Sequence, residues 1–298
     1  MFIRRLPKFE YHAPGSVSEA LDLLERYGER AAVLAGGTDL VVAMKKRERN
    51  PEHLINLKGI EDLRGISFDE KEGIRIGALT PLRELERSGV LEERFSPLWD
   101  AVNVMASPQI RTLATLGGNL CSAMPSADTV PPLIALQASI KISGKGGERK
   151  MVVENFFRGP GEPDLRPGEI LTHILIPKQP ENHGGVYLKL MRRNAMDLAQ
   201  VGVAVCLSLD SGKKICRQAR IALGAAARTP MRAEGAEKVL LNREISQKTA
   251  KEAGRIASEE GTPRSSIRAS REYRTAMIGV LTERAVMEAD RRIRSMKT

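Results

Sequence analysis

Two Gly-Gly turns, Gly36-Gly37 and Gly117-Gly118, constrain this chain more than any other feature, because both sit where an apolar run must change direction sharply. In the first, Ala31 to Leu34 reads as a short strand that includes Val33-Leu34 and runs through Ala35 into the glycines. Thr38-Asp39 then opens a turn of helix through Leu40, Val41 and Met44. Glycine accepts positive φ and has no Cβ, so such a turn can aim several backbone N–H groups and the Thr38 hydroxyl at one anion. The start of the following helix adds partial positive charge. Taken alone, a Gly-Gly turn is more often no more than a tight connection. Neither GxxxxGK[ST] nor GxGxxG is present.

The second turn changes that balance. Ala114-Thr115-Leu116-Gly117-Gly118-Asn119-Leu120-Cys121 is followed by Ser122 to Asp128, again rich in small and turn-forming residues. Two anion-cradling turns in one fold suit a pyrophosphate better than a single phosphate. Asn119, Ser122 and Asp128 offer hydrogen bonds to the rest of a nucleotide, with Asp128 a candidate for a ribose hydroxyl. The alternative is a compact turn-rich loop with no ligand.

Around these turns the chain reads as mixed helix and sheet. Ser16 or Ser18 caps a helix carrying Val17, Ala20, Leu21 and Leu24 at helical spacing, and His53 to Leu57 reads as a strand. This βαβ-like rhythm is too tight for a full Rossmann unit. From about Lys58-Gly59 a second α/β portion begins. It has a strand from Gly73 to Leu79, a helix start at Thr80-Pro81, and a helix from Ser96 to Met105. Ile140 to Ile142 and Met151 to Val153 pair across GKGG, and Ile170 to Ile176 ends at Pro177. The polar stretch KQPENHGG marks a boundary, giving domains of 1–177 (subdomains 1–57 and 58–177) and 178–298. Beyond it come strands at 186–190, 201–209 and 219–223, then helices at 233–241, 246–259 and 273–295, an α+β arrangement.

Composition excludes several classes. With 298 residues, 42% hydrophobic and 28% charged, the chain has an ordinary globular make-up. No apolar run is long enough to span a bilayer, and the opening MFIRRLPKFEYHAPG lacks a signal peptide's apolar core. A cytoplasmic location is therefore expected. The net charge of +10 raises nucleic acid as a partner, but Arg4-Arg5, Lys45 to Arg47 and Arg291 to Arg294 are separate clusters with few aromatics between them. They read as solvated or protein-docking faces. Cys121, Cys206 and Cys216 have no cluster spacing, and His12, His53, His173 and His183 are scattered, so no metal is expected.

AGGTDL at 35–40 and TLGGNLCSAMPSADTVPPLIAL at 115–136 resemble the paired FAD loops of the flavoprotein subunits of molybdenum hydroxylases, the xanthine dehydrogenase and carbon monoxide dehydrogenase type. FFRGPGEPDLRPGEILTHILIP, LKLMRRNAMDLAQVGVAV and ARIALGAAARTPMRAEGAEKVL extend the resemblance over essentially the whole chain. It implies a two-subdomain FAD-binding domain of the vanillyl-alcohol oxidase (PCMH) type and a C-terminal α+β domain of a small sheet with three helices. Carried over, residues 33–40 would wrap the pyrophosphate, and Ala114, Thr115, Gly117, Gly118, Asn119, Ser122 and Asp128 would complete the pyrophosphate, ribose and adenine contacts. Leu171 or Ile170 would lie near the ring system, and Lys189 at its pyrimidine end, where a cation stabilises the anionic reduced flavin. Read from the residues alone, Lys189 equally suits a plain strand face, and Met105, a candidate to pack on the ring, better suits the core.

The resemblance implies non-covalent FAD, since neither loop holds a histidine and Cys121 is at no recognised attachment position. The cysteine-rich insertion of the 4-hydroxybenzoyl-CoA reductase branch is absent. Molybdopterin and [2Fe–2S] clusters are expected on a large and a small partner subunit, in a dimer of heterotrimers. The expected role is electron transfer from the [2Fe–2S] subunit through FAD to NAD+, a quinone or another acceptor, with no catalytic side chain in this chain. A free-standing FAD-dependent oxidoreductase and a non-redox nucleotide-binding docking module are the alternatives.

Overall fold

Short apolar strands separated by helices pair in parallel, because each crossover returns the chain to the same end of the sheet. The computed structural model, which describes residues 5–295, begins with such a unit. Strands β1 (Glu10–His12), β2 (Ala31–Leu34) and β3 (His53–Asn56) form a parallel sheet in the order β1-β3-β2. Helix α1 (Val17–Tyr27) starts at Ser16, whose Oγ accepts the Glu19 N–H at 3.2 Å. It buries Ala20 and Leu21 against Ile55 and Leu57. Helix α2 (Leu40–Lys46) follows the first glycine turn and stops at Arg47 in the left-handed region.

The second unit is antiparallel. Strands β4 (Ile66–Asp69) and β5 (Gly73–Gly77) are followed by short helices α3 (Leu82–Glu86), α4 (Gly89–Arg94), α5 (Ser96–Asn103), α6 (Pro108–Leu113), α7 (Leu116–Cys121) and α8 (Val130–Ala135). Then come β6 (Ser139–Gly144), β7 (Gly147–Val152), a small ribbon of β8 (Phe157–Gly159) with β9 (Glu162–Pro163), and β10 (Ile170–Pro177). The main sheet runs β4-β5-β10-β6-β7. Two local expectations shift. The start expected at Thr80-Pro81 moves to Leu82, because the buried Thr80 hydroxyl donates to Gly65 O at 3.1 Å and is not used as a cap. The turn-rich stretch after Ser107 folds largely into α6, α7 and α8, the first two capped by Ser107 and Thr115.

The third unit is the antiparallel sheet β11 (His183–Leu190), β12 (Val201–Leu209), β13 (Cys216–Gly224) and β14 (Met231–Arg232), backed by α9 (Glu234–Leu240), α10 (Gln247–Glu260) and α11 (Arg271–Ser295). Strand β11 begins inside the polar boundary stretch. Every residue of β12 is buried, and the alternation of a strand explains why. Val201, Val203, Val205, Leu207 and Leu209 pack with Ile278, Ala285, Ala289 and Ile293 of α11. On the other face, Ala204 and Cys206 join Leu98, Leu133 and Ile134 in the core of the second unit. A strand covered on both faces reads as one apolar run. Among the described residues no helix is long and apolar enough to cross a membrane.

Candidate functional site

The two glycine turns lie against each other. A Cβ at Gly36 would stand 2.2 Å from the Leu113 carbonyl oxygen, so only glycine lets the first loop rest on the backbone that enters the second. Ala35 Cβ lies 3.9 Å from the corresponding point at Gly118. Gly37 has φ +78°, a left-handed conformation that favours glycine. Residues 33–40 are all half-buried or exposed and form the rim of this junction.

The turns differ in what their backbone groups do. Among the described residues, the N–H groups of Gly36, Gly37, Thr38 and Asp39 have no protein acceptor; the first donor after them is Val41, to Gly37 O at 3.0 Å. In the second turn the donors are spent. Leu116 N–H bonds Thr80 O at 3.2 Å, Gly117 N–H bonds Ala78 O at 2.9 Å, and Gly118 N–H bonds the Thr115 hydroxyl at 3.1 Å. Gly117 is buried against Ala78, where a Cβ would come within 2.7 Å. Asn119 accepts from the Thr129 hydroxyl through Oδ1 at 2.6 Å, and Ser122 donates to Asn119 O at 2.7 Å. A diphosphate fits this arrangement, since four consecutive unpartnered N–H groups need an anionic acceptor or water.

Asp128 sits deeper. Its carboxylate accepts from Lys189 Nζ at 2.9 Å and from the Tyr187 hydroxyl at 2.8 Å, and Lys189 Nζ also donates to Val104 O at 3.3 Å. The Lys189 side chain is 1% exposed. Burial pushes the Asp128 carboxyl up against the pull of Lys189 and Tyr187, and it pushes the Tyr187 hydroxyl well above its ordinary range. Lys189 and Asp128 are thus directed at each other in this structure, both buried. Tyr187 completes the group and was not among the sequence candidates. Its signal was present, because strand alternation puts Tyr187 and Lys189 on one face.

The remaining candidates divide between two cores. Ile170 packs with Leu57 and Leu79 of the first core, whereas Leu171 faces Ile140 and Ile142 of the second. Met105 is half-buried against the second core, and its carbonyl accepts from Arg111 Nη1 at 2.6 Å. Arg111 in turn grips Glu86 through Nε and Nη2, both at 2.9 Å, which draws the Glu86 carboxyl below its usual range. Ala114, Thr115 and Leu116 are buried beneath the rim. Burial pushes the Cys121 and Cys206 thiols up to about 12, so both stay protonated at neutral pH.

A further bridge escaped the sequence. Arg292 Nη1 of α11 reaches Asp100 Oδ2 of α5 at 2.8 Å, and the Tyr187 N–H bonds the same oxygen at 3.1 Å. No local pattern links residues so far apart in the chain.

The family described as the FAD binding domain in molybdopterin dehydrogenase matches residues 7–179, and the CO dehydrogenase flavoprotein C-terminal domain matches residues 186–289. The carbon monoxide dehydrogenase medium chain of Afipia carboxidovorans is 37% identical over 287 residues, covering 96% of this chain and 98% of that one. The xanthine dehydrogenase FAD-binding subunit of Escherichia coli O157:H7 is 33% identical over 280 residues, covering 94% and 95%. A crystal structure of Cu,Mo-CO dehydrogenase contains a chain that superposes with a TM-score of 0.91 at 37% identity, over 97% of this chain and 100% of that one.

Proposed function

This chain belongs to the FAD-binding subunit family of the molybdenum hydroxylases, and from that premise we propose that it relays electrons between a [2Fe–2S] subunit and NAD+, a quinone or another acceptor. The observation that carries the reading is the row of unpartnered N–H groups from Gly36 to Asp39 at the junction of the two turns. Bound FAD supplies the redox chemistry, so the protein's task is to position it and tune its surroundings.

In this reading the first turn grips the diphosphate through its N–H groups and the Thr38 hydroxyl. Gly118, Asn119 and Ser122 border it from the second turn. Asp128, Lys189 and Tyr187 fix the wall below as a paired, hydrogen-bonded group, and the positive end of that pair lies beside the Val104 carbonyl. Met105, Ile170 and Leu171 supply apolar backing. The flavin is held non-covalently, beside a large molybdenum subunit and a small iron–sulfur subunit in a doubled heterotrimer. The net charge of +10 favours docking onto more acidic partners.

The test has two steps. Acid precipitation is expected to release all the flavin as FAD. In the reconstituted complex the complex's substrate should reduce the flavin, whereas in the isolated chain the same substrate leaves it oxidised and dithionite bleaches it. Reduction of the isolated chain by substrate at a catalytic rate would replace the relay with a free-standing oxidoreductase.

A further inference from the structure

Three potential metal ligands meet at the β1 edge of the small parallel sheet, across β3 from the strand that enters the first glycine turn. Glu10 and His12 alternate onto one face of the edge strand β1, and His53 of β3 lies in register with Glu10 on that face. His53 is also level with Ala31, the first residue of β2, while the glycine turn follows Leu34, the last. Glu10 and His53 thus lie at the starts of their strands, while His12 is level with Ile55 on the edge strand β1, and β3 stands between it and the strand β2 that leads into the glycine turn.

The donor atoms converge closely. His12 Nε2 is 3.2 Å from His53 Nδ1, His53 Nδ1 is 3.3 Å from Glu10 Oε2, and His12 Nε2 is 3.9 Å from the same oxygen. The point equidistant from all three lies about 2.0 Å from each, which is the bond length of zinc to imidazole nitrogen or carboxylate oxygen. The rings are held in place. Tyr27, the last residue of α1, stacks on His53 with centroids 3.7 Å apart and planes 16° apart, and its ring lies 5.0 Å from that of His12. One side of the cluster is closed and the other open: the His53 side chain is 9% exposed and that of Glu10 71%. Water can therefore supply a fourth ligand.

We propose that Glu10, His12 and His53 form a binding site for one zinc-class divalent transition metal, which clips the edge strand β1 onto the small sheet. Two imidazoles and one carboxylate select this class over calcium or magnesium, which take oxygen donors. Along the sequence His12 and His53 are 41 residues apart, and only the parallel pairing of β1 with β3 brings them together.

The full chain with FAD bound is dialysed against zinc chloride in the presence of excess magnesium, alongside His12→Gln and Glu10→Gln. Glu10 lies on the open side and His12 on the edge strand, and both substitutions are expected to leave flavin content unchanged. The native chain should retain about one zinc more than either variant. Its zinc affinity should be at least roughly tenfold higher, the loss that even an outer partner of a metal ligand causes. Zinc should raise the melting temperature of the native chain alone. Equal zinc retention and equal melting shifts in all three proteins would overturn the site. Independently of any variant, X-ray absorption at the zinc edge of the native chain should show two imidazole nitrogens, and a spectrum without imidazole would equally overturn it.

Discussion

The two glycine turns look alike in sequence and do opposite things with their backbones. Gly36 to Asp39 keep their N–H groups unpartnered at a half-open rim. Leu116 to Gly118 spend theirs on Thr80, Ala78 and Thr115, pinning α7 to the end of β5. Even the glycines serve different contacts. Gly36 allows one loop to lie on the other, whereas Gly117 allows a helix to lie on a strand. A Gly-Gly pair therefore signals close backbone approach, and the free hydrogen-bond donors decide whether the approaching group is a ligand or the protein itself.

The largest test of this contrast lies in the charged pair beneath the second turn. Lys189→Met leaves the Asp128 carboxylate buried with only Tyr187 as a partner. A loss of about 3–5 kcal/mol in unfolding free energy is expected from urea titration. Lys189→Met combined with Asp128→Asn should recover much of it. A Lys189→Met variant as stable as the native chain would mean that this pair carries no structural role.

Next come the glycines themselves. Gly117→Val forces a side chain onto Ala78 and should cost about 1–3 kcal/mol or more whether or not FAD is present. Gly36→Val separates the turns at Leu113, so flavin retention should fall by a larger factor than the stability of the flavin-free chain. Absorbance after gel filtration, read beside thermal melts, checks both. If the two variants lost flavin and stability in the same proportion, the contrast between the turns would fail.

Thr115→Ala removes the cap whose hydroxyl receives the Gly118 N–H. The expected cost is about 1 kcal/mol in the flavin-free chain, while Thr38→Ala, at the open turn, should leave that chain's stability nearly unchanged and weaken FAD retention. The smallest effect concerns acid. Arg111 holds the Glu86 carboxyl below its usual 4.5, so the folded chain binds this proton less readily than the unfolded one. The stabilisation is fully present above that value and is lost as pH falls through the folded pKa. Melting curves below pH 4.5 should show this loss in the native chain and a shallower one in Glu86→Gln.

Much of the architecture was legible because its signals are local. Ser16, a cap candidate in the sequence, accepts a backbone N–H at the start of α1, and strand and helix periods located nearly all of the long elements, whereas the caps Ser107 and Thr115 open short helices in a stretch that read as turn. What stayed hidden depended on neighbours. Thr80 has the character of a cap, yet its hydroxyl is taken by Gly65 O. Asp128 read as a polar candidate for a nucleotide and Lys189, from the residues alone, equally as a strand-face lysine, but that the two face each other depended on how β11 packs beside Asp128.

By itself, the sequence determined the paired glycine turns, the succession of two α/β portions and an α+β portion, and the resemblance that names the cofactor. Each rests on the order and spacing of residues along the chain. Only the tertiary structure decided which turn keeps its donors free, which carboxylate is closed off by a lysine, and that His12 and His53 stand 3.2 Å apart. Those outcomes depend on distances between segments remote in sequence, which strand register and packing set and which no local pattern encodes.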